Sequence, residues 1–289
     1  MKLFRRPSKL RTLLVLGRVS NLPTVWSDCL AAWWLGGGGD AWTLARISIS
    51  VSFIYEGGMF LNDAFDASFD RNHRRNRPIP SGAISEKEVW QWGFTWLALG
   101  VAGVAGLGTT TLVLALCLSA CVLAYNAIHK WTLVAPLLMG ACRLGVYVVA
   151  ASAASNGVDG EAIWKGLALA AYVAGLSWLA RKESARVEVN YLPCILLAAP
   201  IFMAGCVDDG AWVGPAALFS VALAGWEFWA ISRSLRWGGG NVGLTVSRLL
   251  AGIALVDLLA VAGENSPWIG LFGLWFALAL LLQRFIPAT

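Results

Sequence analysis

The chain has 289 residues, of which 58% are hydrophobic and 13% are charged, and it contains 16 tryptophans. Because soluble domains carry about 25% charged residues, this composition excludes an ordinary soluble protein and indicates an integral membrane protein. The formal net charge is +5. Basic connections on one side of a membrane account for that charge, so we expect no nucleic-acid partner.

Ten apolar stretches follow one another along the chain, each close to the length of a membrane span. A helix needs about 20 apolar residues to cross a bilayer. We therefore predict one domain, residues 1–289, that forms an all-α transmembrane bundle of about nine to ten spans. Either of the last two stretches could instead be re-entrant or interfacial. The stretches are 22–37, 42–62, 88–107, 109–127, 132–152, 162–180, 191–207, 212–231, 246–262 and 267–285.

The charges in the connections indicate the orientation. Outside the apolar stretches, Lys and Arg occur in the termini and the even-numbered connections, whereas the odd-numbered connections contain acidic residues and no Lys or Arg. By the positive-inside rule both termini, including the basic segment 1–20, are cytoplasmic. We expect a multi-pass protein of a bacterial inner membrane, in contact with membrane lipid, that works from its cytoplasmic side.

Two charged cytoplasmic segments are separated by four stretches. Segment 63–87 follows the second stretch, and segment 181–190 follows the sixth. This spacing predicts two pseudo-repeated helical halves around a central cavity, each half contributing one active-site loop.

The most informative segment reads Asn62-Asp63-Ala-Phe-Asp66-Ala-Ser-Phe-Asp70. A spacing of i, i+3 and i+7 places the three carboxylates within roughly 60° on one face of a helix. Crowded carboxylates repel one another, and Mg²⁺ is often held by a few carboxylates together with substrate phosphates. A metal–diphosphate site and an ordinary solvated acidic loop are the two interpretations, and the first is favoured by the arginines that follow, which could bind a polyanion. These are Arg71, Arg74, Arg75 and Arg77.

The sequence does not support other common types of phosphate or metal site. The chain has no GxxxxGK[ST] loop and no His-Glu-x-x-His helix. Its two histidines, His73 and His129, argue against zinc catalysis. The six cysteines lie in or beside apolar stretches, so we interpret them as packing residues.

Arg143 lies in the middle of the fifth stretch. A charged side chain at the centre of a bilayer costs at least about 2.5–3.5 kcal/mol, so it must face a cavity or a partner. Two interpretations stay open: an anion-facing wall of the cavity, or a structural ion pair with Glu56 or Asp28.

The motifs of this chain resemble those of the UbiA superfamily of intramembrane aromatic prenyltransferases. The resemblance covers most of residues 12–262, and the acidic motif is its most specific part. The matching segments are Arg18-Val-Ser-Asn21-Leu-Pro23, Asn62 to Asp70, Arg77-Pro-Ile-Pro-Ser-Gly82, Tyr125 to Lys130, and Asn241-Val-Gly243.

This resemblance implies Mg²⁺-dependent transfer of an isoprenyl group from an allylic isoprenyl diphosphate to a lipophilic or aromatic acceptor within the membrane. It implies that Asp63 and Asp66 are catalytic and that Asn62, Asp63, Asp66 and Asp70 hold the metal. The candidate substrate-binding residues are Arg18, Asn21, Arg71, Arg77, Tyr125, Lys130, Arg143, Arg181, Lys182 and Glu183.

The second aspartate-rich motif of the superfamily is altered in this chain. No Asp occurs between Asp159 and Asp208. The corresponding segment carries Arg181, Lys182 and Glu183, which either contact the diphosphate directly, mark the loss of its ionisation, or belong to an ordinary basic loop. This segment also resembles the UbiA-like EboC-type proteins, linked to metabolite export. The alternative function is therefore a catalytically altered protein that binds or helps to export a prenylated or lipophilic metabolite.

Overall fold

The computed structural model describes residues 8–130, 132–185, 192–207, 214–235, 242–263 and 267–288. Within these ranges the chain is helical and has no strand, which confirms the all-α prediction. The helices are α1 (Lys9–Leu16), α2 (Leu22–Leu35), α3 (Ala41–His73), α4 (Glu86–Val104), α5 (Thr109–Ile128), α6 (Ala135–Ser152), α7 (Gly160–Ala185), α8 (Ala199–Val207), α9 (Pro215–Leu235), α10 (Val242–Ala260) and α11 (Ile269–Leu282). Two short 3₁₀ segments, Val19–Asn21 and Leu192–Ala198, precede α2 and α8.

Each apolar stretch recognised in the sequence coincides with a helix in the described residues. Six of these helices are long and apolar enough to cross a membrane: α3, α5, α6, α7, α9 and α10. Helices α2, α8 and α11 are shorter. The total of nine to ten spans stays a prediction.

Local capping sets where α3 and α4 begin. The Asp40 carboxylate accepts the backbone N–H of Thr43 at 2.9 Å, and the hydrogen bonds from Thr43 hold the pKa of Asp40 below its usual value. Ser85 and Glu88 form a reciprocal capping box at the start of α4. Both caps satisfy backbone donors that a helix leaves unpaired at its first turn.

Helices α3 and α4 touch through their backbones. A Cβ atom on Gly57 would lie 2.8 Å from the carbonyl oxygen of Gly93, and one on Gly100 would lie 2.7 Å from that of Ser50. Only glycine permits such an approach, which is how small residues bring membrane helices together. The tight seam fixes α3, the helix that carries the acidic residues.

Helix α2 lies at the centre of the bundle, packed against α3, α6, α10 and α11. Its Asp28 is fully buried and forms an ion pair with Arg143 of α6, whose second nitrogen donates to Thr24 at 3.1 Å. Next to this pair, Tyr147 of α6 donates to Asp257 of α10 at 2.8 Å. Of the two interpretations of Arg143, the structure shows the ion pair with Asp28.

One predicted boundary is wrong. Segment 63–87 was expected to be a loop, but α3 continues to His73, so the connection to α4 is 74–85. The helix continues because its acidic side chains have basic partners, described below, and because Arg71 and His73 supply positive charge to its last turn. Likewise α7 extends to Ala185, and residues 186–190 of the second predicted loop lie outside the described residues.

Candidate functional site

Three aspartates project from successive turns at the end of α3. Asp63 and Asp70 are buried, as is Asn62, and Asp66 is half-buried. The helical geometry confirms that the sequence spacing places them on one face. Three other segments bring side chains to this face: Arg18 precedes the Val19–Asn21 turn, Arg77 lies in the 74–85 connection, and His129 and Lys130 follow α5.

Two arginines bind the first carboxylate. Arg77 donates to Asp63 Oδ1 at 3.1 Å, and Arg18 Nη2 lies 3.6 Å from the same oxygen. Arg18 also donates to the Asn62 side chain at 3.3 Å. Arg18 has a φ of 45°, a left-handed conformation unusual for a residue other than glycine. The backbone is therefore strained at the residue that brings a guanidinium to the acidic face.

Two residues that directly follow α5, Lys130 and His129, contact the second carboxylate. Lys130 Nζ lies 2.7 Å from Asp66 Oδ1, and His129 Nε2 lies 3.3 Å from it. The His129 ring stacks on Tyr125 with centroids 5.2 Å apart, and its Nδ1 lies 3.1 Å from the carbonyl oxygen of Asn126. Because that oxygen can only accept, Nδ1 carries a proton and Nε2 is directed at the carboxylate.

A chain of side-chain amides ties these elements together. Asn62 donates to Asn126 at 3.1 Å, and Asn126 donates to the Gly58 carbonyl at 3.0 Å. Asn126 and His129 were missed in the sequence, where the first looks like an ordinary polar residue and the second was weighed only as a zinc ligand. Their position inside the Tyr125 to Lys130 segment was the signal that could have found them.

The electrostatics of this face favour a bound anion. Burial and the neighbouring Arg18 guanidinium, in that order, lower the pKa of Arg77. Two guanidinium groups that crowd one carboxylate repel each other. A polyanion placed between them would relieve this repulsion, since arginine binds phosphate through paired donors.

On this face, Asp70 has a carboxylate oxygen that is unsatisfied among the described residues. It is 2% exposed, and among the described residues its Oδ1 has no hydrogen-bond partner. A buried carboxylate oxygen without a partner is costly, and a cation would satisfy it. Within the described residues no group of three His, Cys, Asp or Glu side chains converges enough to hold a metal by itself, since Asp63 and Asp66 point to cations of the chain.

A cavity of about 180 Å³ opens beside the two arginines. It is lined by Val15, Arg18, Asn76, Arg77, Pro78 and Pro287. Arg18 and Arg77, whose guanidinium groups contact Asp63, therefore both lie at the cavity wall.

Other candidate residues lie apart from this face. Arg71 pairs with Glu86 on an exposed surface, and Arg143 is committed to Asp28 in the bundle core. Arg181 donates to the carbonyl of Thr132 at 2.6 Å. The side chains of Lys182 and Glu183, and Asn241 of the late motif, lie outside the described residues. Asn21 donates to Tyr55 at 3.2 Å and to Ala288 at 3.0 Å.

The fold and this site define an integral membrane helical bundle with an acidic and basic site at the end of one long helix. Comparison of sequences then gives the family. The model of the UbiA prenyltransferase family matches residues 20–240, and the chain belongs to that family.

Curated relatives are similar over part of the chain. A 4-hydroxybenzoate octaprenyltransferase of Citrobacter koseri is 30% identical over 142 residues, 48% of this chain and 46% of the relative. A digeranylgeranylglyceryl phosphate synthase of Methanoregula boonei is 29% identical over 92 residues, 32% of this chain and 33% of the relative. The chain spans less than half the length of these relatives in the matches.

Solved structures share the fold over nearly the whole chain. A UbiA homolog from Archaeoglobus fulgidus bound to GPP and Mg²⁺ superimposes with a TM-score of 0.66 at 14% identity, covering 94% of this chain and 99% of that one. The apo structure of a UbiA homolog from Aeropyrum pernix K1 gives 0.53 at 23% identity, covering 95% and 96%. At these identities the likeness shows the fold alone.

Proposed function

We propose that this protein transfers an isoprenyl group from an allylic isoprenyl diphosphate to a lipophilic or aromatic acceptor within the membrane, with Mg²⁺. The observation that carries the proposal is the alternation of carboxylates and cations at the end of α3. Asp63 lies between two guanidinium groups, and Asp66 lies beside Lys130. A divalent cation and a diphosphate bound together require both signs of charge in one place.

The donor set suits Mg²⁺. Asn62, Asp63, Asp66 and Asp70 present oxygen ligands, and Asp70 has a buried oxygen without a partner among the described residues. Mg²⁺ is usually held by one or two carboxylates together with substrate phosphates, so three converging ligands are not needed before the substrate arrives. When bound, it would supply positive charge at the leaving diphosphate oxygens.

The cations of the chain would then change partners. Arg18, Arg77 and Lys130 neutralise carboxylates in this structure, and they would turn to the phosphate oxygens once those carboxylates hold metal. As the allylic C–O bond breaks, negative charge grows on the leaving oxygen. Donors already positioned around that oxygen stabilise it without a further reorganisation cost.

The bundle interior would protect the allylic cation and admit the acceptor. Water would capture the cation, and an apolar interior excludes water. Aromatic faces stabilise a cation by several tenths of a kcal/mol to about 2 kcal/mol. The side chains of Tyr55 and Tyr125 lie next to Asn21 and His129, respectively, and supply such faces near the site.

We place the site at the cytoplasmic face of a bacterial inner membrane, with both termini on that side. Support comes from the distribution of Lys and Arg among the connections. Isoprenyl diphosphates are polyanions, so entry from that aqueous side avoids passing their charge through the bilayer.

A second candidate function is a catalytically altered protein that binds or helps to export a prenylated or lipophilic metabolite. One observation favours it: the chain has no Asp between Asp159 and Asp208. The end of α7 instead presents Arg181, whose guanidinium donates to a backbone carbonyl. One group of carboxylates would then bind a diphosphate without a second group to assist its ionisation.

Turnover of an allylic diphosphate separates the two functions. The full chain in lipid nanodiscs is incubated with geranyl or farnesyl diphosphate, Mg²⁺ and 4-hydroxybenzoate, and released diphosphate and prenylated product are measured. We expect turnover by the wild type and a loss of at least about a hundredfold in Asp63→Asn, the effect of removing one key electrostatic group.

Asp40→Asn is the matched control. It makes the same substitution at the opposite end of α3, where asparagine is an equally good helix cap, and it should retain full activity. Binding of the diphosphate without release of product from either chain length would support the export component and contradict the transferase.

A further inference from the structure

The residues after α11 fold back onto the mouth of the site. Gln283 anchors the end of this helix by donating to the Ser247 carbonyl at 2.9 Å. The backbone then continues in turns, with the Ile286 N–H bonded to the Leu282 carbonyl at 3.0 Å. Ile286 and Ala288 are 9% and 3% exposed, so this segment is packed against the protein.

The same segment is hydrogen-bonded to Asn21, a predicted substrate-binding residue. Asn21 uses one amide hydrogen for the Tyr55 hydroxyl and the other for the Ala288 carbonyl. A primary amide has two donor hydrogens, so Asn21 has none left for a phosphate oxygen. Pro287, between the two buried residues, lines the cavity that Arg18 and Arg77 also line.

We propose that residues 285–288 form a C-terminal strap that closes the cavity and holds Asn21 in the resting state, and that the strap moves aside when a diphosphate enters. The proposal rests on the proposed function, because it assumes that the diphosphate binds at Arg18 and Arg77. It adds a control of access, through a segment distant in sequence from every motif of the site.

The attachment of the strap is weak enough to be reversible. Phe285 is 66% exposed, and Pro287 is exposed as well. The hydrogen bond from Asn21 to Ala288 links the strap to the Val19–Asn21 segment, and one such bond contributes modestly to stability. A phosphate oxygen that took the place of the Ala288 carbonyl would restore the bond with a charged acceptor, which is the stronger arrangement.

Deletion of residues 285–289 tests the strap by binding. Inorganic pyrophosphate with Mg²⁺ is titrated into nanodisc-embedded full chain and into the deletion variant, with calorimetric detection. We expect the deletion to tighten binding roughly fivefold, the size of one exchanged hydrogen bond. Phe285→Ala, which removes an exposed side chain and leaves the strap in place, should bind as the full chain does.

A labelling experiment follows the strap in the undeleted chain. In Ala288→Cys, at a position that is 3% exposed in the resting state, the rate of maleimide modification of the new thiol is followed by peptide mass spectrometry, which separates it from the native cysteines. We expect pyrophosphate with Mg²⁺ to raise this rate severalfold, because the strap leaves the cavity. A rate that falls, or does not change while pyrophosphate binds, would overturn the movement.

The outcomes distinguish a failure of the strap proposal from a failure of the proposed diphosphate-binding function. Equal or weaker binding after deletion, with normal binding by the full chain, overturns the strap and leaves the diphosphate site intact. A failure of both proteins to bind pyrophosphate with Mg²⁺ overturns the diphosphate site and the strap together. Tighter binding after deletion with faster labelling of Ala288→Cys supports the strap.

Discussion

Two regions of this protein pair a buried aspartate with an arginine, and they differ in what surrounds the arginine. Asp28 and Arg143 are 0% and 7% exposed in the core of the bundle, where Thr24 satisfies a second guanidinium nitrogen. Asp63 is also buried, but Arg77 lies beside a cavity and competes with Arg18 for the same carboxylate oxygen.

This difference indicates which of the two ion pairs can change partners. A buried ion pair cannot be separated without leaving a charge unsatisfied in a medium that solvates it poorly. The pair at the cavity has a second cation, Arg18, at the same carboxylate oxygen, and both arginines line the cavity. We therefore assign the core pair a structural role and the cavity pair a binding role. The sequence alone makes both Arg77 and Arg143 candidates for substrate binding.

The largest expected effect tests the structural half of this comparison. Asp28→Ala would leave Arg143 buried without its carboxylate, and breaking such a pair costs about 3–5 kcal/mol. We expect a large loss of thermal stability in detergent or nanodiscs. Replacing both partners, as Asp28→Leu with Arg143→Leu, should recover much of this loss, because apolar residues tolerate the site.

Unchanged stability in Asp28→Ala would contradict the structural role. A selective loss of diphosphate binding with normal stability would instead return Arg143 to the substrate-binding residues.

A smaller effect tests the binding half. Lys130→Met removes the ammonium group that pairs with Asp66 while keeping an unbranched side chain. We expect binding of pyrophosphate with Mg²⁺ to weaken about tenfold, a loss of about 1.4 kcal/mol, with thermal stability close to wild type. Equal affinity in the variant and the wild type would show that Lys130 serves only to neutralise Asp66.

The smallest effect concerns an arginine that the sequence groups with the site. Arg71 pairs with Glu86 at an exposed position, and exposed pairs contribute at most about 1 kcal/mol. We expect Arg71→Gln to change pyrophosphate affinity less than twofold and to leave stability nearly unaltered. A tenfold loss of affinity would place Arg71 in the site after all.

Much of the fold could be predicted from the sequence, because the apolar stretches and the helical spacing of Asp63, Asp66 and Asp70 are local patterns. The end of α3 could not, since its length depends on the cations that neutralise its carboxylates. The spacing of residues along α3 does not indicate which basic side chains from other segments contact its carboxylates.

The missed parts of the site share one physical cause. His129 and Asn126 reach the acidic face through packing of α5 on α3, and Ala288 reaches Asn21 across 267 positions of sequence. Such contacts depend on tertiary structure. For Arg143, the sequence limits the environment to a cavity wall or an ion pair. The structure shows that it pairs with Asp28.

The exchange of partners at Asp63 and Asp66 is the central claim, and manganese binding tests it most directly. Mn²⁺, a paramagnetic substitute for Mg²⁺, is titrated into the nanodisc-embedded protein and free ion is measured by electron paramagnetic resonance, with and without pyrophosphate. We predict weak binding of Mn²⁺ alone, at least tenfold tighter binding with pyrophosphate, and loss of this gain in Asp63→Asn but not in Asp40→Asn. The same Mn²⁺ affinity with and without pyrophosphate, or a gain that survives in Asp63→Asn, would contradict it.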